Sequence, residues 1–374
     1  MTGVRKIRMV DLHSQYLAIK EEIDAEIQNV ISDSQFINGD AVKQFAQNLG
    51  AYLDVKHVIP CGNGTDALQI AFMALDLPQG SEVLTPGFTY AALAEVLILL
   101  GLKPVYVDVE DRTFNIDSQK LEEAITPLTK AIAPVHLFGQ CSNMDSIMAL
   151  ANKHGLKVVE DNAQAIGADC LMDGKWVKGG TIGDIGTTSF FPSKNLGCFG
   201  DGGAVYTNSD ELAVKIKMIA NHGQNKKYHH EVVGLNSRLD SIQAAVLNVK
   251  LKYLDEYCDK RRRVADYYDS KFSQVNEIST PVRVNYSTHN FHQYTLIVNG
   301  VERDELKSFL ADKGIPTMVY YPKPLYRQNA YKQDVYLPNS EKLVETVISL
   351  PIDTEIQTEE LSYIVDNIKA YLEK

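Results

Sequence analysis

From residue 55 onward, short β-branched runs alternate with longer segments of helical periodicity. That alternation limits the chain to few folds. His57–Cys61, Glu82–Pro86, Lys103–Val109, Lys130–His136, Lys157–Asp161, Thr187–Phe191 and Gly203–Thr207 each read as a strand. Thr65–Leu75, Tyr90–Leu100 and Ser146–His154 read as helices among them. Strands alternating with helices predict a largely parallel sheet covered on both faces, because each crossover lays a helix on the sheet. Ligands of such sheets bind beyond the carboxyl ends of the strands.

After Leu235 one long helical reading, Ser237–Phe272, carries Arg261-Arg262-Arg263, which is expected to be a solvated face. From about residue 285 a smaller α+β unit follows. Phe291–Val298 and Thr317–Tyr321 read as its strands, and Asp304–Lys313 and Thr358–Leu372 as its helices. The expected fold class is α/β, with a large domain over residues 1–250 holding a mostly parallel seven-stranded sheet. A smaller C-terminal α+β domain spans residues 251–374. A chain of 374 residues is long enough for two domains. No internal repeat or low-complexity segment interrupts it.

Composition removes several function classes. The net charge of −11 argues against a nucleic-acid partner, since a phosphate polymer is repelled without a local basic patch. The five cysteines are scattered and contain no CxxC pair, which predicts reduced thiols in a cytoplasmic protein. The N-terminal MTGVRKIRMVDLHSQY lacks the apolar core of a signal peptide. Ala91–Leu102, the longest apolar run, contains Glu95 and is too short to span a bilayer, so no membrane partner is expected. His222, His229 and His230 have no carboxylate or cysteine at ligand spacing, and no metal is expected.

The chemistry concentrates at strand ends. Lys194 follows the apolar Phe190-Phe191-Pro192 and opens the glycine-rich loop Asn195–Gly203. Glu160-Asp161 ends the apolar run Val158-Val159. This layout suits pyridoxal 5′-phosphate (PLP). A lysine forms a Schiff base with its aldehyde, and an aspartate keeps its pyridine nitrogen protonated so that the ring acts as an electron sink. An exposed lysine has a pKa of ~10.4 and is almost wholly charged at neutral pH, whereas partial burial lowers that value. Gln164, three residues after Asp161, is placed to bond the ring's 3-oxygen.

Gly62-Asn63-Gly64-Thr65-Asp66-Ala67 follows a strand and opens a helix. It fits the dinucleotide fingerprint, but the second strand ends in Pro86-Gly87 where that fingerprint wants an acid. The stronger reading is a phosphate cup of backbone N–H groups and the Thr65 hydroxyl at a helix N-terminus, with Ser189 as a further donor. Asp66 reads as a ligand of the turn or as a simple N-terminal cap. Tyr90 reads equally as a ring stacked on the pyridine or as a core aromatic opening a helix.

Taken together the motifs resemble the DegT/DnrJ/EryC1/StrS sugar aminotransferases, a family of fold-type I PLP enzymes. The resemblance runs from Asp11-Leu12 to the C-terminal helix. It rests on Gly64–Leu68, Thr85–Tyr90, Glu160–Gln164, Ser189–Lys194, His222-Gly223, Gly234–Asp240 and Gln243–Ala245. It implies that Lys194 holds PLP and that Asp161 pairs with the ring nitrogen. Gln164 bonds the ring oxygen, Gly64, Thr65 and Ser189 bind phosphate, and Tyr90 stacks on the ring. Asn236 would reach the cofactor of a neighbouring subunit, which implies a homodimer with shared active sites.

Within the family, Asn236–Asp240 is most similar to the branch acting on 3-keto sugars, the UDP-2-acetamido-2-deoxy-3-oxo-glucuronate aminotransferases. The resemblance implies L-glutamate as donor, a nucleotide sugar as acceptor, and a place in cell-surface polysaccharide or lipopolysaccharide sugar synthesis. Arg238 could pair with the sugar's carboxylate. Tyr320-Tyr321-Pro322 stands where that branch has His-Tyr-Pro, so Tyr320 and Tyr321 are candidate sugar contacts. The alternative substrate is a dTDP-linked 3-keto or 4-keto deoxysugar. Three rivals are a PLP enzyme of another reaction type, such as a sugar dehydratase or decarboxylase, an NAD-dependent sugar oxidoreductase built on Gly62–Ala67, and a PLP-binding regulator. The regulator needs a DNA-binding module, for which the chain has no basic stretch.

Overall fold

The computed structural model describes residues 6–373. In chain order its strands are β1 (His57–Cys61), β2 (Glu82–Pro86), β3 (Lys103–Val107), β4 (Thr129–Ile132) and β5 (Lys157–Asp161). A hairpin of β6 (Asp169–Met172) and β7 (Lys175–Lys178) follows, then β8 (Ile185–Ser189) and β9 (Gly203–Thr207). A second hairpin, β10 (Gln224–Lys226) and β11 (His229–His230), precedes β12 (Ile278–Ser279), β13 (Tyr294–Val298) and β14 (Val347–Leu350).

Seven strands form the main sheet in the order β1-β9-β8-β5-β4-β2-β3. Pairs β2–β3, β2–β4, β4–β5 and β5–β8 are parallel, and β9 runs antiparallel to both neighbours. All seven strands expected from the sequence are present. The fourth ends at Ile132 instead of His136. Pro134 has no N–H to give a ladder, so past Ile132 the pairing shrinks to a bridge between Val135 and Asp161.

Apolar residues fill both faces of the sheet. Helix Gly64–Leu75 buries Ala67, Leu68, Ile70, Ala71, Phe72 and Ala74 on one side. Helix Met144–His154 buries Met144, Ile147 and Leu150 among Leu84, Ile132 and Val158. A third cluster joins Val42, Phe45, Leu49 and Leu53 of helix Asp40–Leu53 to Ala244, Leu247 and Leu251 of helix Ser241–Leu251. Phe190, Leu196 and Cys198 complete that cluster. It therefore packs directly beneath the loop carrying Lys194.

The C-terminal portion differs from expectation in three places. The long helix is two helices, Ser241–Leu251 and Leu254–Phe272, separated at Lys252-Tyr253. Thr317–Tyr321 is not a strand. Only Met318 bridges the sheet, to Ser349, and β14 instead pairs along β13. Arg261 is 2% exposed, not solvated. Its Nη1 donates to the carbonyls of Phe291, His292 and Ile352 at 3.1, 3.3 and 3.2 Å. Among the described residues no helix is long and apolar enough to cross a membrane.

Candidate active site

Three strand ends meet at the carboxyl edge of the sheet. β1 leads into Asn63–Thr65, β5 ends on Asp161, and β8 ends on Ser189 five residues before Lys194. They line one cavity of about 850 Å³ together with Tyr90, Gln164, His292, Tyr320 and Tyr321. A volume of this size suits a cofactor and a small substrate.

The cup at β1 is built on close backbone approach. Asn63 caps helix Gly64–Leu75, its side-chain oxygen accepting from Asp66 N–H at 2.8 Å. Asp66 is therefore not the cap. Its Oδ2 accepts from Ser237 Oγ at 2.6 Å, and Ser237 Oγ also accepts from Gly62 N–H at 2.9 Å. A Cβ on Gly64 would lie 2.6 Å from Ser189 Cβ, so only glycine lets this helix start reach Ser189. The unbonded first-turn N–H groups, the helix dipole and two hydroxyls together favour a dianion.

Lys194 is held by a tightly bonded loop. Its amide donates to Phe191 O at 2.8 Å, Phe190 N–H to Gly202 O at 2.8 Å, and Cys198 N–H to Phe190 O at 2.8 Å. Lys250 Nζ, itself buried, donates to Gly197 O at 2.8 Å and sits 4.9 Å from the Phe199 ring centroid. Among the described residues no group bonds Lys194 Nζ. Loss of water lowers its pKa to about 8, with the opposing pull of Asp161 only partly offsetting this.

Asp161 shows the complementary effect. Burial raises its carboxyl above the ordinary range, against the stabilising Ala163 N–H and the Lys194 charge. Oδ1 accepts that N–H at 3.0 Å, and no other described group bonds the carboxylate. It is thus a buried acid with one hydrogen bond, and a protonated pyridine nitrogen would supply a further partner. Gln164 is fixed at one end by Phe138 N–H to Oε1 at 2.9 Å, while Nε2 donates to Tyr321 Oη at 3.2 Å and keeps a second N–H. The donor set fits PLP: a cup for phosphate, an unbonded amine, a carboxylate and a free amide N–H.

The remaining candidates are placed less centrally. Tyr90 lines the cavity but is 63% exposed, at its mouth, with its ring 6.4 Å from that of Tyr321. Tyr321 is half-buried and packs edge-on to Phe88 at 5.9 Å. Asn236 is exposed, and Arg238 lines a separate groove of about 1180 Å³ with Val42, His57 and Asp210. No residue is common to the two linings. Both nevertheless flank Ser237, which is tied to the Gly62–Asp66 turn.

The cavity also contains residues that sequence reasoning missed. His292 is 5% exposed with its Nδ1 unbonded, and burial together with the charges of Lys194 and Arg261 holds it neutral. Its only signal was a polar pair, His292-Gln293, inside an apolar run. Phe138 and Asp201 line the cavity too and carried no signal.

Known proteins match the whole architecture. The model of the DegT/DnrJ/EryC1/StrS aminotransferase family matches residues 17–369. A pleiotropic regulatory protein of Geobacillus stearothermophilus is 45% identical over 98% of each chain. A UDP-2-acetamido-2-deoxy-3-oxo-D-glucuronate aminotransferase of Pseudomonas aeruginosa is 46% identical over 96% of this chain and 98% of its own. The crystal structure of NtdA from Bacillus subtilis with bound cofactor PMP superposes with a TM-score of 0.91 at 32% identity, covering 99% of this chain and 86% of that one.

Proposed function

Because the chain belongs to the DegT/DnrJ/EryC1/StrS aminotransferase family and is thus a PLP-dependent transferase, we propose that it moves an amino group from L-glutamate to the keto carbon of a nucleotide-linked sugar. The observation that carries this reading is the joint placement of Lys194 and Asp161 in one cavity beside the Gly64–Ser189 cup. When bound, PLP supplies a protonated ring that draws electrons from the carbon bearing the amino group.

The chain's own groups do the rest. Gly64, Thr65 and Ser189 bind the phosphate and fix the ring's position. Asp161 holds the proton on the ring nitrogen, and Gln164 orients the ring through its free N–H. Lys194, with a pKa near 8, is neutral in a useful fraction of molecules at neutral to mildly alkaline pH. Its Nζ takes the Cα proton of glutamate, water supplies the keto oxygen with which 2-oxoglutarate leaves, and the amino group stays behind in the cavity. Once that amino group has displaced the sugar's keto oxygen as water, the same lysine returns a proton to the sugar carbon.

The substrate we favour is a UDP-linked 2-acetamido-3-keto sugar with a C6 carboxylate. The Pseudomonas relative's activity and the presence of Arg238 support it. Arg238 does not line this chain's own cavity, so it would act, like Asn236, in the site of a second copy in a homodimer. A dTDP-linked 3-keto or 4-keto deoxysugar is the second reading. It is favoured by Tyr320 at the cavity wall, a phenol that burial keeps neutral and that offers a carboxylate no positive charge. Incubation with glutamate and a panel of UDP- and dTDP-keto sugars, read by the mass of the aminated product, decides between them. Amination of neutral dTDP-sugars alone would overturn the favoured substrate.

A further inference from the structure

Directly behind Asp161 lies a buried histidine–carboxylate contact that no step above uses. His136 and Glu160 are both 0% exposed, and neither lines the cavity. Strand alternation turns Glu160 to the face of β5 opposite Asp161. Inside the protein its carboxylate meets four donors. Oε1 accepts from Ile182 N–H at 2.7 Å and Gly183 N–H at 2.6 Å. Oε2 accepts from Gly180 N–H at 3.0 Å and faces His136 Nε2 at 2.9 Å. Four donors around two oxygens satisfy the hydrogen-bonding capacity of a buried carboxylate.

The histidine tautomer is fixed from its other side. Ser142 N–H donates to His136 Nδ1 at 3.1 Å, so Nδ1 carries a lone pair and the ring proton sits on Nε2, aimed at Glu160. The same histidine also grips Asp161 through the main chain. His136 N–H donates to Asp161 O at 3.0 Å, and Asp161 N–H donates to Pro134 O at 2.9 Å.

We propose that His136 and Glu160 are a positioning pair for Asp161. The ring and the four-donor cage lock the peptide units around Asp161, which holds its carboxylate on the ring nitrogen. The proposal rests on the cofactor assignment of the cavity. Neither residue touches cofactor or substrate.

Glu160→Gln is the sharpest variant. It keeps shape but sets an NH₂ group against His136 Nε2–H and Gly180 N–H. The alternative histidine tautomer would oppose Ser142 N–H instead. The holoenzyme is reconstituted with PLP labelled with ¹⁵N at the ring nitrogen, and three readings are taken: the ring-nitrogen chemical shift, PLP affinity, and borohydride trapping at Lys194. In the wild type the shift is expected in the protonated range. In Glu160→Gln it is expected to move toward the unprotonated range, with a PLP affinity loss of about tenfold and trapping at Lys194 retained. His136→Gln, which removes the acceptor for Ser142 N–H, is expected to move the shift in the same direction and decides the matter should Glu160→Gln fail to fold. A wild-type shift in either folded variant, or an unprotonated wild-type ring, overturns the proposal. Absence of trapping at Lys194 in the wild type would instead overturn the cofactor assignment.

Discussion

Gly64 and Ser189 sit so close that a single added methyl group on Gly64 would lie 2.6 Å from the serine Cβ. The contact joins the start of a helix to the end of β8, and it shapes the cup between them that we propose for the phosphate. Gly64→Ala is therefore expected to push Ser189 aside. The overpacking should cost about 1–3 kcal/mol of stability, measured by urea denaturation of the cofactor-free protein. PLP affinity should fall at least tenfold, measured by fluorescence titration. Unchanged affinity would mean that Ser189 does not bind the phosphate.

Lys194 is destabilising where it stands. Its folded pKa of about 8 lies below the ordinary lysine value, so below pH 8 the folded state carries the cost of a poorly hydrated charge. Between pH 8 and about 10.4 the unfolded chain keeps the proton and the folded protein has lost it, so stability rises with pH across that window. In the cofactor-free protein, Lys194→Met is expected to be more stable than wild type by about 1–3 kcal/mol at pH 7. The gap should shrink as pH rises toward 10. Chemical denaturation at several pH values measures it, and a gap that stays flat would show that Lys194 is well hydrated.

Arg261 joins helix Leu254–Phe272 to the segment carrying His292 through the carbonyls of Phe291 and His292, and to the chain after β14 through that of Ile352. Arg261→Ala removes a buried cation and leaves those carbonyls without a donor. A loss on the order of 3–5 kcal/mol is expected, read as a drop in denaturation midpoint. A loss under about 0.5 kcal/mol would be that of an exposed arginine.

Much of this site was legible in the sequence because its parts sit at strand ends that hydrophobic periodicity marks. Lys157–Asp161 and Gly203–Thr207 were located to the residue, and the Lys194 loop declared itself by its glycines. What could not be read depends on long-range pairing. Arg261 looks solvated beside Arg262 and Arg263, and only the fold brings the carbonyls of Phe291, His292 and Ile352 to it. Thr317–Tyr321 has strand-like composition, yet only Met318 pairs, with Ser349 on the outer edge of β14. Glu160 is indistinguishable from a surface acid until His136, 24 positions earlier in the chain, is placed against it.

Arg238 and Lys194 line different cavities of one chain. If Arg238 serves the site of a second copy, two defective variants should complement each other. Mixed and refolded Lys194→Ala and Arg238→Ala chains form hybrids with one intact site, and random pairing restores about a quarter of wild-type activity toward the acidic sugar. Arg238→Ala alone should retain turnover of neutral sugars. No recovery on mixing, with both variants folded and dimeric by light scattering, would contradict a shared site.

The central claim is that Lys194 is the residue joined to the cofactor. Borohydride reduction of the holoenzyme, followed by digestion and peptide mass spectrometry, tests it most directly. The account predicts a phosphopyridoxyl group on the peptide containing Lys194 and none on that peptide's counterpart in Lys194→Ala, which should also have lost turnover. A modified Lys250, the other buried lysine near that loop, or a Lys194→Ala variant that still traps cofactor and turns over, would contradict it.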